Sequence, residues 1–386
     1  MMEGVEMMGW GVAGRPTASR KPGRSAKVPV RRKHRRLALG AATVAMGAAI
    51  SAVGGVPAAQ AALPAKTYEI AFQDATGVLA VVGRNNLAQE VPVGLAAGST
   101  PSIGGLDGGT NFGFGVTYRR ADGVLGFYHT FAGVPESLAT PVMASTSPSF
   151  VDHPILSGIF PDIWWQNNNI LFEQIGLRSI PARRMDSPRA GSSPAIARNA
   201  SGSLRKVAVV TSNGFLRQST NGSAFGSEGV NVPVSQNTNP AVAAGPSDAM
   251  IAVNGAGGDL LLNRSSDQTA DDTGLPIQTG SSPSIAALST GGFETAFVAP
   301  DNTLWVADAN GVGHSTGQTM AAHSNPAIAA DDNGGWKIAY VDQTGTLSTY
   351  ASTGRTVHLQ AQAKNTGLWS GPAIAYITPA GDPGPI

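Results

Sequence analysis

From residue 66 onward the apolar residues come in short runs separated by Gly, Asn, Asp and Pro, and no stretch shows helical periodicity. Phe293–Val298 has β-type composition, Pro300-Asp301-Asn302 turns the chain, and Leu304-Trp305-Val306 returns it. Thr76-Gly77, Asp122-Gly123, Asn213-Gly214 and Thr344-Gly345 mark equivalent tight turns, because Gly and Asn tolerate positive φ. Val207–Val210 and Ile338–Val341 are apolar without clean alternation, as expected of strands buried on both faces.

The pattern repeats. A Ser/Thr/Asn–Pro step followed by small and apolar residues recurs at Pro101, Pro148, Pro194, Pro240, Pro283 and Pro326, and a seventh copy, Gly371-Pro372-Ala373-Ile374, has Gly before the proline. The prolines are 43 to 47 residues apart. A leucine just after a turn follows each of the first six by 20 to 24 residues: Leu125, Leu171, Leu216, Leu260, Leu304 and Leu347; Leu79 precedes the first. Seven residues before these leucines stand Phe72, Tyr118, Trp164, Val209, Val253, Phe297 and Tyr340.

A unit of this length with three clear strands, and a fourth less regular one in its Gly/Ser/Thr-rich outer part, is the signature of a β-propeller. The markers' phase sets the closure. The chain enters on a middle strand, Tyr68–Phe72, and ends on an orphan Pro strand, Pro372–Ile377. Pairing the two makes seven four-stranded blades and removes the open sheet edges. The expected fold is therefore an all-β, seven-bladed propeller over residues 62–386.

The Pro-initiated strand, the Ala296-Phe297-Val298 type of middle strand and the hairpin before Leu304 together resemble the seven-bladed bacterial β-propeller lectins that bind fucose and related sugars. The resemblance spans residues 66–380 and implies this architecture and a glycan ligand. Trp164, Trp165, Trp305, Trp336 and Trp369 do not share one repeat position, so no sugar motif carries over residue by residue.

The first sixty residues read differently. Basic Arg31–Arg36, uncharged Leu37–Val56 and the small-residue site Ala59-Gln60-Ala61 fit a signal peptide, 1–61, cut before Ala62. Arg35-Arg36-Leu37 also suits twin-arginine export, so Sec and twin-arginine routes both stay open, and a membrane anchor is the competing reading. Ten of the 26 Lys and Arg and two of the 25 Asp and Glu fall in this segment. Residues 62–386 keep 16 basic and 23 acidic side chains, net −7. That balance argues against nucleic acid and anionic membranes as partners. The chain has no cysteine, which excludes thiol catalysis, disulfides and cysteine-ligated metals.

Candidate chemistry is thin. Gly313-His314-Ser315-Thr316-Gly317 matches the nucleophile-elbow pattern, but no helix is predicted after it. Asp74, Asp162, Glu173, Asp248 and Asp342 are carboxylates a glycosidase could pair across the central channel. Asp271-Asp272 and Asp331-Asp332-Asn333-Gly334 read as Asx turns rather than calcium loops, and the histidines lack ligand spacing. No cofactor or metal is expected. Aromatic rings outside the buried repeat position are the better clue, because a sugar's C–H face packs on a ring while amides and carboxylates bind its hydroxyls. The candidate ligand-binding residues are Trp165, Gln166 and Asn168, Asp301 and Trp305, and Trp336, Tyr350 and Trp369. The expected function is a secreted, non-catalytic, lectin-like protein whose partners are glycans or a glycan-bearing surface. A propeller glycoside hydrolase and an extracellular protein-binding scaffold are the alternatives.

Overall fold

A computed structural model describes residues 65–107, 112–152, 161–179, 181–225, 229–264, 267, 269–364 and 368–377. The expected export signal lies outside these residues. Among them there are 28 strands and no helix, so none is long and apolar enough to cross a membrane. The strands form seven four-stranded antiparallel sheets, numbered here as blades 1 to 7. Blade 1 comprises Ser102–Asp107, Phe112–Arg119, Val124–His129 and Glu136–Pro141. Blade 2 comprises Ser149–Val151, Asp162–Asn167, Ile170–Ile175 and Ala182–Asp186. Blades 3 to 6 begin with Ala195–Arg198, Ala241–Ala244, Ser284–Ala287 and Ala327–Ala330.

Blade 7 is built from both ends of the ring. Its order is Ala373–Ile377, Thr67–Gln73, Val78–Val82, Ala88–Gly94. The terminal strand runs antiparallel to the first, with Thr67 opposite Ile377 and Ala71 opposite Ala373. This is the closure the phase of the repeat requires.

The Pro strands are innermost, and each touches the Pro strands of both neighbours. They enclose a central channel of about 860 Å3. Apolar residues of facing blades form seven clusters, one in each junction. In the second strand of a blade, side chains alternate between the two neighbours. Ala296 and Val298 pack toward blade 6, and Phe293 and Phe297 toward blade 4. Burial on both faces explains why these strands read as unbroken apolar runs.

The Ser/Thr/Asn–Pro step has a structural reason. The N–H of the residue before each proline donates to the side chain of its equivalent in the next blade: Thr100 to Ser147 Oγ (2.8 Å), Ser147 to Ser193 Oγ (2.8 Å) and Ser193 to Asn239 Oδ1 (2.6 Å). Asn239 then donates to Ser282 Oγ (2.9 Å), and Ser282 to Asn325 Oδ1 (2.9 Å). At the closure Asn325 N–H turns to the Ser370 carbonyl (2.8 Å), and Gly371 N–H donates to Thr100 Oγ1 (3.2 Å), which completes the girdle. Gly371 departs from the motif because a Cβ there would overlap the Asn325 carbonyl oxygen. The proline that follows has no N–H to satisfy and sits at a strand start, where it costs no ladder bond.

Blade 2 breaks the sequence register by one residue. Its hairpin turns on Asn168 and Asn169 alone, both at positive φ (48° and 56°), and pairs Asn167 with Ile170. In the other blades a three-residue loop ends on Gly or Asn at positive φ, such as Gly345 (83°) and Asn302 (64°). The shorter turn flips the strand by one position. Trp165, not Trp164, therefore faces the preceding blade like Phe297 and Tyr340 do, and Trp164 faces blade 3.

Candidate functional site

The girdle and the second-to-third-strand hairpins lie on one face of the ring, here the upper face. The first-to-second and third-to-fourth-strand turns lie on the lower face. The expected ligand residues separate accordingly.

Trp165 is fully buried, stacked on Phe172 at 5.7 Å between ring centroids. It offers no face to solvent, because the shifted register places it in the junction with blade 1. Gln166 is buried beside it and donates to the Arg189 carbonyl (3.1 Å). Asn168 shapes the hairpin. On the upper face of blade 5, Trp305 Nε1 donates to Thr303 Oγ1 (2.9 Å), and Thr303 in turn donates to Asp301 Oδ1. These bonds from Thr303 hold the Asp301 carboxyl below its usual range. The Trp305 ring is half-buried in the junction with blade 4, 6.2 Å from Phe297. Trp369 lies edge-on to His323 (5.4 Å) and against Gly280, spanning three inter-blade loops of the upper face.

Trp336 and Tyr350 are brought together. They are adjacent on the lower edge of blade 6, half-buried, with ring centroids 6.0 Å apart, and both pack toward blade 5. Facing them from blade 5 are Glu294 and Asp308. Glu294 begins the row Glu294, Ala296, Val298 that is turned to blade 6, and it is paired across strands with Asp308. The first turns of the two blades touch just below, since a Cβ on Gly334 would come 2.5 Å from Thr290 Cγ2. Partial burial, with the Asp308 carboxylate alongside, pushes the Glu294 carboxyl up from 4.5 to about 7. Asp308 Oδ1 accepts from the N–H groups of Asn310 (2.8 Å) and Val312 (2.9 Å).

Glu294 and Asp308 escape the sequence reading. The signal is visible once the repeat is aligned on the residue that faces the preceding blade. Three positions earlier stand Glu69, Gly115, Asp162, Lys206, Met250, Glu294 and Lys337. Five of the seven are ionisable, although the position lies in a strand otherwise apolar. In three junctions it meets the residue one place earlier in the next blade: Asp162 meets Arg205 (2.8 Å), Met250 shares a cluster with Phe293, and Lys337 lies 4.5 Å from the Tyr68 ring centroid. Trp336 is the counterpart of Glu294 by the same rule.

The remaining carboxylates are engaged elsewhere. Asp162 also binds Arg198 (3.1 Å), and Glu173 binds Arg205 and Arg184, in an ion network closed within the junction of blades 2 and 3. Asp74 and Asp342 cap their hairpins by accepting N–H groups. The only acid among the described residues lining the channel is Asp152. The paired channel carboxylates of the hydrolase alternative are therefore not assembled there. Gly313–Gly317 lies in the outermost strand of blade 5, Gly313–Thr319, rather than in a strand-to-helix turn. Asp331 Oδ1 accepts from Asn333 and Gly335 N–H groups, an Asx turn as expected. No cluster of metal-ligating side chains occurs among the described residues.

No protein-family model matches the chain, and no curated protein matches it. Solved structures do. A fucose-specific lectin from Aleuria aurantia is 13% identical, with TM-score 0.47, over 76% of this chain and 99% of its own. A mutant of AofleA from Arthrobotrys oligospora is 10% identical, with TM-score 0.47, over 74% of this chain and 92% of its own. BBS1N, solved in complex with ARL6DN, is 14% identical, with TM-score 0.46, over 70% and 82%. The Aleuria lectin is described as a six-bladed propeller, one blade fewer than the seven sheets here.

Proposed function

We propose that this chain is an exported carbohydrate-binding β-propeller, non-catalytic, with a sugar site on the lower face between blades 5 and 6. The observation that supports it is the pairing of two half-buried rings, Trp336 and Tyr350, with two carboxylates, Glu294 and Asp308, across one junction. Rings accept the apolar C–H face of a sugar, and carboxylates bind its hydroxyls in strong charge-assisted hydrogen bonds. Three other junctions fill the equivalent space with an ion pair, a cation on a ring, or apolar side chains, and the junction of blades 7 and 1 sets Glu69 toward Phe114 and Tyr128, all three buried. This reading therefore places the site in the junction of blades 5 and 6, where the rings and carboxylates are only half-buried. Export rests on the basic run, apolar run and cleavage site of residues 1–61.

The test is a glycan array probed with the purified protein, followed by titration of any hit. Saturable binding competed by the free sugar, and weakened at least about tenfold by Trp336→Ala, supports the reading. Binding unaffected by Trp336→Ala moves the site elsewhere. A folded sample that binds no glycan refutes the function.

A further inference from the structure

The position of Glu294 shows, within this molecule, what the lower edge of a junction accommodates. In the junction of blades 2 and 3 the equivalent acid, Asp162, is met by the Arg205 guanidinium at 2.8 Å, and that guanidinium also lies 5.9 Å from the Trp164 ring centroid. In the junction of blades 6 and 7 the Lys337 ammonium lies 4.5 Å from the Tyr68 ring centroid. Tyr68 occupies the place that Trp336 holds in blade 6. Both junctions thus seat a cation on an aromatic ring and add a carboxylate, Asp162 on the cation in one and Asp331 on the Tyr68 hydroxyl (3.3 Å) in the other.

The junction of blades 5 and 6 has the aromatic and acidic halves of this arrangement without the cation. Glu294 and Asp308 supply two carboxylates, and Trp336 and Tyr350 supply two rings. Among the described residues no Lys, Arg or His forms an ion pair with either carboxylate. Lys337, next to Trp336 in sequence, points to the opposite face of its sheet and is taken by Tyr68. Two like charges side by side and partly desolvated favour a cationic ligand over a neutral one, and the rings add cation–π attraction.

We propose that the ligand of this junction is an amino sugar with a free, protonated amine, its ammonium seated against Glu294 and Asp308 and its ring lying on Trp336 or Tyr350. This rests on the carbohydrate-binding reading and adds the charge. An N-acetylated sugar has the same ring but no charge to offer, so the site discriminates against it. The repulsion between the two carboxylates, which a bound cation relieves without protonating Glu294, is what sets the preference.

The experiment measures binding of the purified full chain, near neutral pH and at low salt, to four probes of matched length: a glucosamine oligomer, an N-acetylglucosamine oligomer, a glucose oligomer and oligolysine. The expected result is that the glucosamine oligomer binds at least about tenfold tighter than the other three and weakens as salt rises. Glu294→Gln, shown folded by circular dichroism, is expected to reduce the glucosamine oligomer to the level of its acetylated form. Asp308→Asn, which keeps an oxygen to accept from Asn310 and Val312, is expected to act in the same direction. Equal binding of the acetylated or glucose oligomer overturns the charge requirement and leaves carbohydrate binding standing. Oligolysine binding as tight as the glucosamine oligomer overturns the sugar and leaves only a cation site. Binding of none of the four by a folded sample overturns this inference, and an array also empty of hits overturns the carbohydrate reading with it.

Discussion

Replacing Glu294 by Gln tests the electrostatics of the junction without any ligand. Burial and the Asp308 carboxylate push the Glu294 carboxyl from 4.5 up to about 7. Between those values the folded state holds a proton that the unfolded chain has released. The native state therefore binds more protons, and the contribution of Glu294 to stability is present below pH 4.5 and lost as pH rises through about 7. A displacement of this size corresponds to at most about 3 kcal/mol. Solvent screening at a partly exposed carboxyl reduces that to about 1–2 kcal/mol. Gln keeps the shape and has no charge to desolvate. Glu294→Gln is expected to match the parent near pH 4.5 and to exceed it by about 1–2 kcal/mol at pH 8. In a ring of this size that is a rise in Tm of about 2–3 °C.

The assay is thermal unfolding of parent and variant at several pH values between 4.5 and 8, read as the difference so that the other titrating groups cancel. Asp308→Asn removes the neighbouring charge and should move the parent's stability loss to lower pH. A difference between Glu294→Gln and parent that is flat across the range, or a variant less stable at pH 8, refutes the placement of Glu294 against Asp308.

Three further substitutions and one truncation probe the ring. Asn239→Ala removes the acceptor for Ser193 N–H and is expected to cost about 1–2 kcal/mol by chemical denaturation; an unchanged midpoint would remove the girdle from the account of stability. Gly371→Ala drives a Cβ into the Asn325 carbonyl and should cost more than about 2 kcal/mol, with the loss concentrated at the closure in hydrogen exchange. Asp162→Asn leaves Arg198 and Arg205 short of their shared carboxylate and should destabilise by about 3–5 kcal/mol; a neutral result would mean that solvent replaces the network. Deleting residues 372–386 removes the strand that pairs with Thr67–Ala71 and should lower the melting of the whole ring; a truncated chain that melts like the parent would refute closure.

The architecture was legible because its signals are periodic. Seven Pro steps and seven leucines fix the number of blades, and their phase at the two ends fixes which strands pair. The odd copy, Gly371, marks the place where the girdle passes from side chain to backbone. The register of blade 2 was not legible from spacing. The two-residue turn on Asn168 and Asn169 is one residue shorter than its counterparts, and that reverses Trp164 and Trp165. Trp305 and Trp369 read as free rings in the sequence, yet each has a side against a neighbouring blade or loop. Trp336 and Tyr350 were legible as aromatics, but their acidic partners belong to the preceding blade, 42 residues away in the case of Glu294 and Trp336.

That distance is a property of the fold. Except where the chain ends meet in blade 7, hydrogen-bonded neighbours within a blade are close in sequence, whereas a junction joins residues one repeat apart. Chemistry placed at a junction is consequently written in two repeats, and neither contains a motif by itself. The position of Glu294 is filled around the ring by Glu, Gly, Asp, Lys, Met, Glu and Lys, while the backbone that carries it repeats seven times. A buried polar group of this kind needs a partner, and the facing blade can supply it. Arg205 does so for Asp162, and the Tyr68 ring for Lys337. Glu294 faces rings and a second carboxylate instead, and the ligand proposed above would supply the partner that the facing blade does not.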